Sequence, residues 1–239
     1  MKTGLVKQSN FMSAQPASGA GYGGGADMSG APGYGRSQAY SRRAEYLLVI
    51  YPYGELQDRL LDEQQQFSLD YLQMTGVKSG RPAGPVLVGN KPHITVAAFQ
   101  ADEPMEDTLI RWIQRICNRH KSFDITLNNY SGFPPHTIYL RVQDPQPFRE
   151  MMQQLRAIDD FIRSSGCPPV NLINRPYLSI AGGLTEQVYN RAMPEYSRKD
   201  FHDSFHVKEM VLLKREHSFD ACKTVNIFPL LPDTSQTIS

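Results

Sequence analysis

The chain has 239 residues, of which 40% are hydrophobic and 21% are charged, so it contains enough apolar material for the core of one or two domains. This composition excludes collagen-like, wholly disordered and disulfide-scaffold proteins. The chain carries 25 basic and 24 acidic residues, a formal net charge of +1, which gives no global reason to expect a long nucleic acid or an anionic membrane as partner. Any phosphate-binding site must therefore be local.

The cysteines and the N-terminal residues indicate the cellular compartment. Cys117, Cys167 and Cys222 show no C-x-x-C spacing, which is typical of reduced thiols in a cytosol and predicts neither a disulfide framework nor a metal cluster. The first residues lack the continuous apolar segment of a signal peptide, and no later run approaches the roughly 18 apolar residues of a membrane span. We therefore expect a cytoplasmic protein that has no membrane or metal partner.

Residues 1–43 are expected to form a disordered leader. They hold nine of the 18 glycines and almost no aliphatic residue after Val6, so they cannot bury enough apolar surface to offset the entropy lost on ordering. Their tyrosines, interleaved with glycine and arginine, would allow weak stacking on RNA bases, and a passive leader is the alternative. The rest of the chain divides into a folded domain over 44–232 and a flexible C-terminus over 233–239.

From Ala44 onward, strand and helix patterns alternate. Runs rich in β-branched and aromatic residues predict strands, and apolar residues at helical spacing predict amphipathic helices. The predicted strands cover 45–52, 93–99, 122–129, 137–142, 177–181, 207–215 and 224–230, and the predicted helices lie within 54–76, 102–120, 146–163 and 184–195. A glycine- and proline-rich loop at 78–92 precedes the second strand. The alternation predicts an α+β or α/β domain.

A short internal repeat relates two of the predicted strands. Residues 91–97 read KPHITVA and residues 175–181 read RPYLSIA. The two copies are identical or similar at every position except His93, which corresponds to Tyr177. Each copy follows a loop, opens a strand and precedes a helix, which favours equivalent strands in two related lobes.

The repeat predicts a polar groove. Because side chains alternate along a strand, His93 and Thr95 share one face of the first copy, and Tyr177 and Ser179 share one face of the second. If the two strands lie side by side, or face each other across a pseudo-two-fold axis, the groove between them carries one imidazole, one phenol and two hydroxyls.

These paired motifs resemble those of the 2H phosphoesterase superfamily, and within it the bacterial 2'-5' RNA ligase and cyclic phosphodiesterase branch. The resemblance covers about residues 45–231. The family has two H-x-[ST]-x-hydrophobic motifs on two pseudosymmetric lobes, and the corresponding positions here, His93 and Tyr177, lie 84 residues apart. The first motif is complete, whereas the second has Tyr177 in place of its histidine. The resemblance implies an α+β fold with two lobes, each a mainly antiparallel sheet with helices outside.

The resemblance also implies a reaction. Family members hydrolyse 2',3'-cyclic phosphates, or join RNA ends through a 2'-5' linkage, with two histidines as general base and acid and without a metal or nucleotide cofactor. Thr95 and Ser179 would donate hydrogen bonds to the phosphate oxygens. We therefore expect a monomer that acts on a small nucleotide or an RNA terminus carrying a phosphoester, with His93 and Tyr177 at the catalytic positions.

The tyrosine leaves three interpretations open. A phenol with an ordinary pKa near 10 donates a hydrogen bond at neutral pH and is a poor general base. Tyr177 would therefore serve only as the general acid or as a hydrogen-bond donor that holds the phosphate. The protein would then be a slow phosphodiesterase with His93 as its base. Alternatively, it would bind a nucleotide, a phosphosugar or an RNA end without catalysis, or it would retain the fold for a protein-interaction role.

Two cations accompany the repeat. Lys91 and Arg175 lie two residues before His93 and Tyr177, and strand alternation would place both on the groove side, where they would attract an anionic substrate. Charges at the groove rim are the alternative.

Other residues that suggest a site are weaker candidates. His202 and His206 have the i, i+4 spacing of a zinc pair, but a strand predicted from residue 207 and the lack of a third ligand argue against a metal site. His136 is expected in a surface turn. Trp112 falls on the apolar side of the second helix and is expected in the core.

Overall fold

The computed structural model describes residues 42–72, 91–217 and 220–233. The expectations for residues 1–41 of the leader, for nearly all of the loop at 78–92 and for the last six residues lie outside this part of the chain, whereas Arg43, also expected in the leader, begins the first strand. All described residues belong to one unit, Ala39–Ser239. Among them, no helix has both the length and the hydropathy needed to cross a membrane.

The described residues form nine strands and four α-helices. The strands are β1 Arg43–Ile50, β2 Ile94–Asp102, β3 Phe123–Phe133, β4 Thr137–Val142, β5 Asn171–Leu172, β6 Tyr177–Ala181, β7 His202–Val207, β8 Glu209–Arg215 and β9 Lys223–Pro229. The helices are α1 Glu55–Phe67, which continues as a π-helix over Ser68–Leu72, α2 Glu106–Cys117, α3 Gln146–Ser164 and α4 Glu186–Tyr196.

The named strands form one antiparallel sheet with two halves. The strand order is β7-β3-β4-β6-β2-β1-β8-β9, and β5 pairs with β2 beside this path. The halves β7-β3-β4-β6 and β2-β1-β8-β9 meet where β6 and β2 pair at one position, Leu178 opposite Ile94. Helices α1 and α4 contact the first half, and α2 and α3 contact the second. The two-lobed α+β architecture expected from the sequence is confirmed.

The two repeat strands become the inner strands of the two halves. Along β2, Ile94 and Val96 are buried, and along β6, Leu178 and Ile180 are buried, so one face of each strand packs into the core. The intervening residues therefore face away from that core. The core positions the opposite, polar faces of both strands at the junction between the halves.

Trp112 corrects one expectation. Its side chain is 38% exposed and packs against Phe161 on α3, with the ring centroids 5.4 Å apart. The buried residues of α2 are Leu109, Ile113, Ile116 and Cys117, so the indole lies at the edge of the apolar face. The predicted burial of this residue was wrong.

Candidate functional site

The register between β2 and β6 places the two motifs together. Ile94 lies opposite Leu178, and both are fully buried. Because the strands run antiparallel, the residue before Ile94, His93, lies across from the residue after Leu178, Ser179. In the same way, Thr95 lies across from Tyr177. The imidazole and the phenol therefore occupy diagonal positions on the same face, as two equivalent residues do about a local two-fold axis.

These four side chains line one cavity of about 120 Å³. The lining residues are Gln64, Lys91, Pro92, His93, Thr95, Thr137, Ile173, Tyr177 and Ser179. Lys91 therefore contributes to the cavity, as expected from the repeat. Arg175 is exposed and is not among the residues that line the cavity.

His93 is held in one tautomer. Its Nδ1 atom lies 2.9 Å from the Lys91 carbonyl oxygen. Because a carbonyl only accepts hydrogen bonds, Nδ1 carries the proton, and the neutral ring has its free lone pair on Nε2. Burial lowers the pKa of His93 from its ordinary value, and the hydrogen bond to Lys91 opposes part of this effect. The imidazole is therefore neutral at pH 7 and able to accept a proton.

Tyr177 has the opposite character. Its ring packs against Phe133 and Tyr139, with centroid distances of 5.1 and 4.9 Å. Burial, with a smaller contribution from Tyr139, raises the pKa of Tyr177 above its ordinary value. The phenol therefore keeps its proton at neutral pH and acts as a hydrogen-bond donor.

Gln64 on α1 completes the cavity wall. The residue is only 4% exposed, and its Nε2 donates a hydrogen bond of 3.2 Å to the Ser179 carbonyl oxygen. This bond fixes the amide orientation, since the flipped amide would set two acceptors against each other. In the described part of the chain, Gln64 Oε1 and Ser179 Oγ are both buried without a hydrogen-bond partner. Buried polar atoms are normally paired, so both atoms are available to a ligand group that enters the cavity.

The sequence contains a signal for Gln64 that motif reasoning missed. Leu60, Phe67 and Tyr71 form the buried face of α1 and of the π-helical turn after it. Gln64 lies between them at helical spacing, so a polar residue interrupts an apolar stripe. A buried amide at such a position requires a polar partner, which indicates a site facing the helix.

The other histidines lie elsewhere. His136 is exposed, with its Nδ1 3.2 Å from the Leu184 carbonyl oxygen. His202 and His206 lie on β7, and His206 Nδ1 contacts Asp124 at 2.7 Å. Within residues 42–72, 91–217 and 220–233, no group of three or more histidine, cysteine or carboxylate side chains is placed to hold a metal ion.

Comparisons with known proteins identify the family and the fold. A model of the 2'-5' RNA ligase superfamily matches residues 77–218. E. coli LigT complexed with 3'-AMP is similar at a TM-score of 0.55 and 16% identity, over 79% of this chain and 98% of that chain. The same protein complexed with NADP+ gives 0.51 and 15% over the same shares. TT0787 of Thermus thermophilus gives 0.56 and 14%, over 79% and 99%. A search of curated proteins finds no match.

Proposed function

The chain belongs to the 2'-5' RNA ligase superfamily, and we propose that it is a slow phosphodiesterase that opens 2',3'-cyclic phosphates or related phosphoesters at RNA ends. One observation carries the proposal: a neutral imidazole and a protonated phenol lie diagonally across a single cavity, and two hydroxyls complete the same face. This arrangement provides a base, a donor and phosphate-holding groups around one phosphorus centre.

The proposed reaction assigns a role to each side chain. Nε2 of His93 takes a proton from water as the water oxygen bonds to phosphorus. The bond from phosphorus to one ribose oxygen breaks, and the Tyr177 hydroxyl supplies the proton to that departing oxygen. Proton exchange with solvent then restores the neutral imidazole and the protonated phenol. Thr95 and Ser179 donate hydrogen bonds to the non-bridging oxygens as negative charge develops there.

Two features support a phosphorylated ligand. Ser179 Oγ is buried without a partner at the cavity, so it is available to donate to an oxyanion. LigT, which shares the fold, has been solved with 3'-AMP and with NADP+, both phosphate-bearing nucleotides. We propose that the ligand of this chain belongs to the same chemical class.

A binding protein without catalysis is the second candidate, and Tyr177 favours it. The raised pKa of this phenol makes it a weaker acid than a protonated histidine at neutral pH. The loss of one general catalyst typically lowers a rate by about 10²- to 10⁴-fold. The same cavity would then hold the phosphate without turning it over.

Hydrolysis of 2',3'-cyclic AMP tests the proposal. We expect slow turnover by the wild type, and a decrease of about 10²- to 10⁴-fold in His93→Ala because the general base is removed. His136→Ala, which removes an exposed histidine outside the cavity, is the matched control and should retain the wild-type rate. A wild-type rate equal to that of His93→Ala would overturn the enzyme proposal, and tight binding of 3'-AMP in that case would support the binding protein.

A further inference from the structure

A groove on the outer side of the sheet lies between α2 and α3. It has a volume of about 380 Å³ and shares no lining residue with the phosphate cavity. Trp112, Arg115, Ile116 and Arg119 form one wall, and residues of α3 form the other. The proposed reaction assigns no role to this groove.

The groove has a largely apolar floor with an aromatic ring beside it. The Trp112 indole is 38% exposed and packs against Phe161 of α3, with the ring centroids 5.4 Å apart. Ile116 is only 8% exposed, and the α3 wall consists of two glutamines and one alanine. Tryptophan and arginine are among the residues that contribute most to the affinity of protein interfaces. An indole that is fixed by a neighbour but open to water is therefore suited to contact a partner.

Two guanidinium groups accompany the indole. Arg115 and Arg119 are both exposed and lie four residues apart on the same wall. Within the described part of the chain, neither makes an ion pair or a side-chain hydrogen bond. No acidic side chain lines the groove, and Glu150, which precedes the α3 wall, accepts a hydrogen bond of 3.2 Å from Gln146. The groove therefore presents positive charge that the described residues do not neutralise.

This charge indicates what kind of partner fits the groove. A second copy docked groove to groove would bring the arginines of both copies together. The segments of this chain outside the described residues offer no acidic partner either: 1–41 has three basic residues and one acidic residue, 73–90 has two basic residues and no acidic one, and 218–219 and 234–239 have no charged residue. Complementary charge must therefore come from another, acidic protein.

We propose that this groove docks an acidic amphipathic helix of a partner protein. A trough between two packed helices accepts the side-chain ridge of a third helix. The apolar face of that helix fills the groove beside Trp112, and its carboxylates pair with Arg115 and Arg119, whose planar guanidinium groups match carboxylates in geometry. The inference goes beyond the proposed function and does not depend on it, since no residue of the groove belongs to the proposed reaction centre.

Fluorescence of Trp112 tests the inference, because this residue is the only tryptophan in the chain. The probe is a peptide of about 15 residues, long enough to form a helix, with leucines at helical spacing and glutamates elsewhere. The same peptide with lysine in place of glutamate is the control. We expect the acidic peptide to shift the emission of Trp112 to shorter wavelength as water is excluded from the indole. It should bind at least about tenfold more tightly than the lysine peptide.

Charge variants test the role of the two arginines. Arg115→Gln/Arg119→Gln should lower the affinity for the acidic peptide by about tenfold and make binding less dependent on salt. Arg115→Lys/Arg119→Lys keeps the positive charge and should retain most of the affinity. Arg198→Gln removes an exposed arginine after α4, outside the groove, and is the matched control that should bind like the wild type.

Four results would overturn the inference. They are equal affinities for the acidic and lysine peptides, equal affinities of the wild type and Arg115→Gln/Arg119→Gln for the acidic peptide, an emission shift that follows protein concentration without peptide, and a shift with phosphatidylserine vesicles but not with the acidic peptide. The third result would assign the groove to a second copy, and the fourth to a membrane surface. Hydrolysis of 2',3'-cyclic AMP should be equal in the wild type and Arg115→Gln/Arg119→Gln, so it reports separately on the proposed function.

Discussion

Individual residues in the cavity differ in how well the sequence reveals them. Residues 91–97 and 175–181 repeat one pattern, and strand alternation predicts which of their side chains share a face. Gln64 lies in no motif, and its position depends on how α1 packs across the junction of the two halves. Tertiary packing therefore brings this residue to the cavity, and only its interruption of an apolar stripe is visible in the sequence.

Gln64 gives a prediction that separates a ligand-binding role from a structural one. Gln64→Met keeps the shape of the side chain but removes the buried, unpartnered Oε1 along with the bond to Ser179. Loss of the hydrogen bond destabilises the protein by about 1 kcal/mol, and removal of the unsatisfied acceptor stabilises it by a similar amount. The free energy of unfolding should therefore change little. We expect the rate of 2',3'-cyclic AMP hydrolysis to fall by about tenfold or more because Oε1, which can accept a hydrogen bond from a ribose hydroxyl or from the attacking water, is lost.

Urea denaturation and initial rates, measured on the same samples, check this prediction. A destabilised variant with an unchanged rate would show that Gln64 serves only to join α1 to β6.

Secondary-structure elements were predictable where their pattern was strong. The main strands and all four helices follow from alternation and helical spacing. Two strands were missed. β5 has only two residues and is a strand only because it pairs with β2. β7 consists largely of polar residues, and they form a strand because every residue of β7 pairs with β3. The predicted strand at 207–215 is in fact the end of β7 followed by β8. Long-range pairing, which no local window contains, determines these elements.

One contact between elements gives a stability prediction. Gly132 on β3 packs so closely against α4 that an added Cβ would collide with the Tyr189 hydroxyl and lie 3.0 Å from Met193 Sδ. Gly132→Ala should therefore reduce the free energy of unfolding by about 1–3 kcal/mol, as overpacking does in well-packed cores.

Urea denaturation measures this effect, and the double variant Gly132→Ala/Tyr189→Phe should recover part of the loss because the nearest clashing atom is removed. If Gly132→Ala were as stable as the wild type, α4 would be able to move away from β3 without loss of folding free energy, which would contradict the prediction.

At the scale of the described chain, two similar halves of the sheet meet where β2 and β6 pair. This junction places a histidine from one half and a tyrosine from the other around the same cavity. The repeat and its resemblance to a known family predicted that these two residues would share a groove.

The pairing of His93 with Tyr177 predicts a distinctive pH dependence. The base must be neutral, so the hydrolysis rate should fall only at acidic pH, below the lowered pKa of His93. The donor must be protonated, and the pKa of Tyr177 is raised. The hydrolysis rate should therefore decline at alkaline pH only above the ordinary tyrosine pKa of about 10. Between these limits the wild-type rate should be level.

The most direct measurement is the pH–rate profile of 2',3'-cyclic AMP hydrolysis for the wild type and Tyr177→His. The substitution restores a second histidine opposite His93, so the rate at pH 7 should increase by at least about tenfold. The profile should also become bell-shaped, with a new alkaline decline near the ordinary histidine pKa of about 6.5. An unchanged rate and an unchanged profile would contradict the claim that these two side chains act on one phosphate.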